Sequence, residues 1–108
     1  MNGMLITTSD TIEGRKIAKT LGLVRGNTVR TRNIGRNIIA SLRNIIGGEV
    51  PEYTEMLSHA RDEAVDRMVK HAKDMGADAI VTLRFTTTEA MTGATEILAY
   101  GTAVKLGK

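Results

Sequence analysis

From Pro51 to Met75 an apolar or small side chain recurs every three or four residues, at Tyr53, Leu57, Ala60, Ala64, Met68, Ala72 and Met75. That interval lines one face of a 3.6-residue helix, while Glu52, Glu55, Asp62, Asp66, Lys70 and Lys73 fall on its other faces. Both ends are marked. Pro51 has no N–H to leave unpaired in a first turn, Glu52 and Glu55 suit the positive end of the helix dipole, and Gly76 suits a C-terminal cap. At about 1.5 Å per residue the helix is roughly 37 Å long, so its apolar stripe requires an equally long surface to cover it.

The rest of the chain supplies candidates for that surface. Met4 to Thr8 is a short run of β formers that reads as a first strand, closed by the turn cluster Ser9-Asp10-Thr11. Ile17 to Arg32 reads as extended but interrupted, because Gly22 and Gly26-Asn27 suggest bulges, sharp bends or a hairpin. Asn33 to Ile46 has isoleucine and leucine at helical spacing, which predicts a short buried helix, and Gly47-Gly48 lets the chain turn into the long one. A strand is predicted from Ile80 to about Thr88, with Val81, Leu83 and Phe85 on one face and Ile80, Thr82, Arg84 and Thr86 on the other. Met91-Thr92-Gly93 forms the connection to a last strand, Thr95 to Leu106. At about 3.3 Å per residue the stretch from Ala79 to Glu89 spans roughly 36 Å, a length match between this hairpin and the helix. Ala99, Gly101 and Ala103 give the last strand a small-residue face that permits close approach of another backbone. Its other face is also apolar, and one helix covers only one side of a sheet, so a second cover is expected from another subunit.

Composition narrows the classes. A chain of 108 residues buries about two thirds of its unfolded surface, enough for one core, so one domain over 1–108 is expected. Hydrophobic content of 42% and charged content of 25% are ordinary for a soluble protein, and with neither a secretory leader nor a membrane-length apolar run a cytoplasmic location without membrane contact is expected. The absence of cysteine excludes disulfides, thiolate-ligated zinc, iron–sulfur clusters and thiol nucleophiles. The net charge of +3 conceals an asymmetry: residues 14 to 48 hold eight bases and no acid, whereas 49 to 78 hold eight acids and four bases. Two segments that face each other, within or between subunits, account for this better than an anionic partner does.

No catalytic constellation emerges. His59 and His71 are twelve residues apart and about 120° apart around the helix, which rules out a two-histidine clamp on one helix. Glu55, Asp62 and Glu63 beside His59 have ligand spacing, but a solvated ion-pair face has the same spacing. Ser9, Ser41 and Ser58 sit in no nucleophile motif, and no Walker or dinucleotide fingerprint calls for a cofactor. Gly47-Gly48 before a helix resembles an anion cradle, yet Glu49 would repel a phosphate there and serves the helix N-terminus instead. The arginines between 15 and 43 could meet phosphates, but no aromatic among them offers a base-stacking platform, which disfavours nucleic acid.

Gly47-Gly48-Glu49 with Tyr53, Ala60-Arg61 with Ala64, Gly76-Ala77-Asp78-Ala79, Arg84-Phe85 and Ala99-Tyr100-Gly101-Thr102-Ala103-Val104 together resemble the YbjQ-like family of uncharacterised proteins, over about Met4 to Leu106. The resemblance implies an α+β, dodecin-like β-α-β-β subunit, mainly antiparallel with one long helix, assembled into a ring that is a pentamer. The family carries a heavy-metal-binding label, which a chain without cysteine would have to satisfy with Met, His or carboxylates. The reading that follows is a homo-oligomeric binding protein holding a small ligand or ion at subunit junctions, where Gly47, Gly48, Glu49, Tyr53 and Tyr100 converge. The alternatives are a metal-binding protein without Cys ligands, and anion or nucleic-acid binding through the basic segment.

Overall fold

The computed structural model describes residues 3–31, 51–91 and 94–107. Their elements are β1 (Leu5–Ile6), β2 (Ile17–Thr31), α1 (Pro51–Asp74), β3 (Ala79–Met91) and β4 (Ala94–Leu106). The strands form one mixed sheet in the order β1-β3-β4-β2, with β1 parallel to β3 and the other neighbours antiparallel. The architecture is α+β, one helix on a four-stranded sheet. The short helix expected between Asn33 and Ile46 lies outside the described residues.

The helix forms where the pattern places it. Ala60, Ala64, Met68 and Ala72, one per turn, are fully buried, and Val69 joins them. The C-terminus closes as foreseen at Gly76, whose φ of +80° lets its N–H reach the Lys73 carbonyl while Ala77 N–H reaches that of Ala72.

What the helix lies on differs from the length match. It packs chiefly across β2 and less against the β3–β4 hairpin. The reason is Gly26. A Cβ there would stand 2.2 Å from the Ala64 carbonyl oxygen and 2.4 Å from the Met68 nitrogen, so only a glycine lets the helix backbone come this close. Far from breaking the strand, Gly26 sits within fifteen continuous residues of β2 paired to β4, and there is no hairpin. The expected irregularity occurs instead near Gly22, where the register shifts and φ is +133°.

The small-residue face of β4 is the one that takes the helix: Ala99 and Ala103 are buried in the same cluster as Val24, Ile80 and the helix alanines. The second cover is partly internal. At one end of the opposite face Ile12, Ile17 and Leu106 close over Ala79, Val81 and Val104. Beyond that end the face is open, and Leu23 and Val29 of β2 are 62% and 53% exposed.

The two oppositely charged segments meet within one chain at Arg30 and Glu63. Arg30 of β2 pairs with Glu63 of α1, which also holds Arg67 at 2.5 Å. Arg67 in turn donates to the Asn27 carbonyl, and Arg25 N–H donates to His71 Nδ1 at 3.3 Å. Helix side chains thus cap two outward backbone groups of β2, an edge strand that would otherwise offer them to another chain.

Candidate functional site

Of the five residues expected at a ligand site, Tyr100 alone has a described side chain. Gly47, Gly48 and Glu49 lie outside the described residues, and Tyr53 is described only as backbone in the first turn of α1. Tyr100 is a half-buried residue in the middle of β4. It alternates with Ala99 and Ala103 of the helix-side core, so it belongs to the sheet face away from α1. The body of α1, from Leu57 onward, and Tyr100 are therefore on opposite sides of the sheet.

Two arginines flank Tyr100 in register, Arg25 on β2 and Arg84 on β3. Directly opposed residues of an antiparallel pair share a face, so the three form a row across the open side of the sheet. Arg84 is there because of a bulge. Val81 pairs with Thr102 and Arg84 with Tyr100, leaving Thr82 and Leu83 opposite Gly101 alone. The extra residue resets the alternation: Ile80 and Leu83 pack into the helix-side core, while Val81 falls on the other face with Arg84. The predicted faces of this strand, with Ile80 beside Arg84 and Val81 beside Leu83, are corrected accordingly, since a period of two does not survive an inserted residue.

The bulge is held in several ways. Thr82 has φ +59°, a left-handed conformation that is a genuine outlier for a β-branched residue. Its N–H donates to the Ser9 carbonyl at 2.9 Å and that of Leu83 to the Thr7 carbonyl at 3.0 Å, so the segment after β1 clamps the irregular backbone. Gly101 provides the room, because a Cβ there would meet Ile80 Cγ2 at 2.8 Å. Arg84 Nη1 donates to the Thr8 and Leu83 carbonyls at 2.9 and 2.8 Å, which fixes the guanidinium by one nitrogen and leaves its other donors for another partner. Among the described residues the Arg25 guanidinium has no partner of its own.

The neighbouring rows of this face are Thr86–Leu98–Asn27 on one side and Val81–Thr102–Leu23 on the other, with no carboxylate in either. Glu96 lies one row further and is held by Asn27 Nδ2 at 3.2 Å. The sequence reading names Tyr100 as a candidate and does not place the two arginines beside it. Arg25 was one of eight bases in a basic stretch, and nothing in Val81-Thr82-Leu83-Arg84 advertises a bulge.

Metal chemistry fits the described residues poorly. No three His, Asp or Glu side chains among them come together, and His59 stands 3.8 Å from Glu55 as a largely exposed i,i+4 pair, the solvated alternative. No described helix is long and apolar enough to cross a membrane.

Comparison with known proteins places the chain among relatives. A family model, YbjQ, described as "Putative heavy-metal-binding", matches residues 4–107. A UPF0145 protein of Archaeoglobus fulgidus is 57% identical over 103 residues, covering 95% of each chain. One from Methanococcus vannielii is 56% identical over 105 residues, 97% of this chain and the whole of its own. The crystal structure of a protein of unknown function of the DUF74 family from Pediococcus pentosaceus superposes with a TM-score of 0.66 at 21% identity, covering 97% of this chain and 99% of that one, and so shares the fold.

Proposed function

This chain belongs to the YbjQ family, and from that premise we propose that it is a homo-oligomeric binding protein, a ring of subunits that holds a small ligand on the sheet face around Tyr100. The observation that carries this reading is the open half of that face. Leu23 and Val29 are apolar and largely exposed, Leu23 in the row next to the polar row set in fixed register and Val29 two rows away on its other side. A neighbouring subunit that covered the two apolar residues would wall in the row and turn an open surface into a lined pocket, the usual form of a small-molecule site. The start of α1, with Gly47, Gly48, Glu49 and Tyr53, would then belong to the neighbour's contribution.

Light scattering at micromolar concentration and a thermal-shift screen of metabolites and metal ions test the two parts. The expected results are a multiple of the subunit mass and a ligand whose stabilisation is lost in Tyr100→Phe or Tyr53→Phe. A stable monomer overturns the assembly, and ligand shifts unaltered in both variants overturn the site.

A further inference from the structure

We propose that the Arg25–Tyr100–Arg84 row is an oxyanion site whose ligand is a small molecule bearing a phosphoryl group. The proposal rests on the reading of the Tyr100 face as the ligand site and gives that site its chemistry.

Three observations converge on it. First, the bulge at Thr82–Leu83 is what puts Arg84 on the open face; without the inserted residue Arg84 would point toward the helix side. A β-branched residue held left-handed costs about 1–3 kcal/mol, and such outliers persist where surrounding contacts over-determine them, commonly at ligand sites. Second, the two guanidiniums differ in preparation. Arg84 is oriented by two carbonyls, and Arg25, across Tyr100, meets no partner among the described residues. Third, no residue of this row or of the rows beside it is acidic, and Glu96, one row further, is engaged by Asn27 Nδ2.

The geometry selects among anions. Arg25 and Arg84 are separated by two strand spacings, about 10 Å between backbones, and stand one on each side of Tyr100 in the register of the sheet. A carboxylate has two oxygens and is satisfied by one guanidinium fork. A phosphoryl group has three terminal oxygens and nearly two charges, so it can accept from both forks and from the Tyr100 hydroxyl together. The apolar side chains of the adjacent rows, Leu98 and Leu23, border the row and would contact the body of the ligand.

Equilibrium dialysis of the full chain against inorganic pyrophosphate at fixed ionic strength tests this, with acetate as the carboxylate arm. Saturable pyrophosphate binding is expected, with acetate a poor competitor. Arg25→Gln and Arg84→Gln should each weaken it about tenfold or more, whereas Arg61→Gln, on the exposed side of the helix, should leave it unchanged. Because Arg84 also anchors the segment at Thr8, Arg25→Gln is the decisive variant. Absence of saturable binding, binding indifferent to Arg25→Gln, an equal loss in Arg61→Gln, or acetate competing as well as pyrophosphate each overturn the proposal. A metabolite shift that depends on Tyr100 without pyrophosphate binding overturns the phosphoryl class and leaves the site standing; loss of both responses overturns both.

Discussion

The two faces of the sheet are built from the same strands on opposite principles. On the helix side β4 presents Ile97, Ala99 and Ala103, all buried, and β2 presents Val24, Gly26 and Thr28, all buried as well. On the other side the alternate residues of the same strands are Leu98, Tyr100 and Thr102, and Leu23, Arg25 and Asn27, each half-buried or exposed. One residue's shift along a strand separates a packed interior from a surface with arginines and exposed leucine. The contrast locates stability on one face and recognition on the other, because small side chains and a glycine maximise contact with the helix but offer a ligand nothing to bind.

The sharpest way to break the contrast is at Gly26. Gly26→Ala places a methyl within 2.4 Å of helix backbone atoms, which no side-chain rotamer can relieve. The helix must lift from β2, and the expected loss is at or above the usual overpacking range, about 3 kcal/mol or more, read as a fall in the denaturant midpoint. A change below about 1 kcal/mol would mean that the helix is not seated on β2 through this residue.

Gly26 also shows what a sequence conceals. Its neighbours Thr28 and Val29 are β formers, and the reading of Gly26-Asn27 as an interruption followed from glycine's local preferences. The actual reason is tertiary, a helix passing overhead, which leaves no local trace. By contrast α1 could be placed almost to the residue, 51–75 expected and Pro51–Asp74 found, because its stripe and both end signals are written in adjacent residues. The last strand was equally legible, Thr95 to Leu106 expected and Ala94–Leu106 found. Tyr100 was legible as a polar group on an apolar strand. Arg84 was not assignable to its face, since the bulge that aims it depends on carbonyls of Thr7 and Ser9, more than seventy residues away in the chain.

A smaller effect tests where the two faces meet, along the outer edge of β2. His71 accepts the Arg25 N–H through Nδ1, at 3.3 Å, on an exposed part of the helix. His71→Ala returns that N–H to water, so the expected loss is about 1 kcal/mol or less by chemical denaturation. The more informative readout is hydrogen exchange at the Arg25 amide, which should accelerate while amides of β4 keep their protection. Unchanged exchange at Arg25 would show that the imidazole does not cap this edge.

The least change in stability is expected from the open face, and that is what makes it diagnostic. Tyr100→Phe removes a hydroxyl that takes part in no hydrogen bond among the described residues and keeps the ring over its neighbours, so the isolated subunit should shift by no more than about 0.5 kcal/mol. Leu23→Thr, at a position 62% exposed with β propensity retained, should fall in the same range for the subunit itself. If both are neutral to subunit stability, any loss of assembly mass in Leu23→Thr or of ligand response in Tyr100→Phe belongs to recognition and not to folding. If either destabilises by more than about 2 kcal/mol under conditions that hold the assembly dissociated, the open face is a structural face, and the division between a packing side and a binding side fails at the residue from which it was drawn.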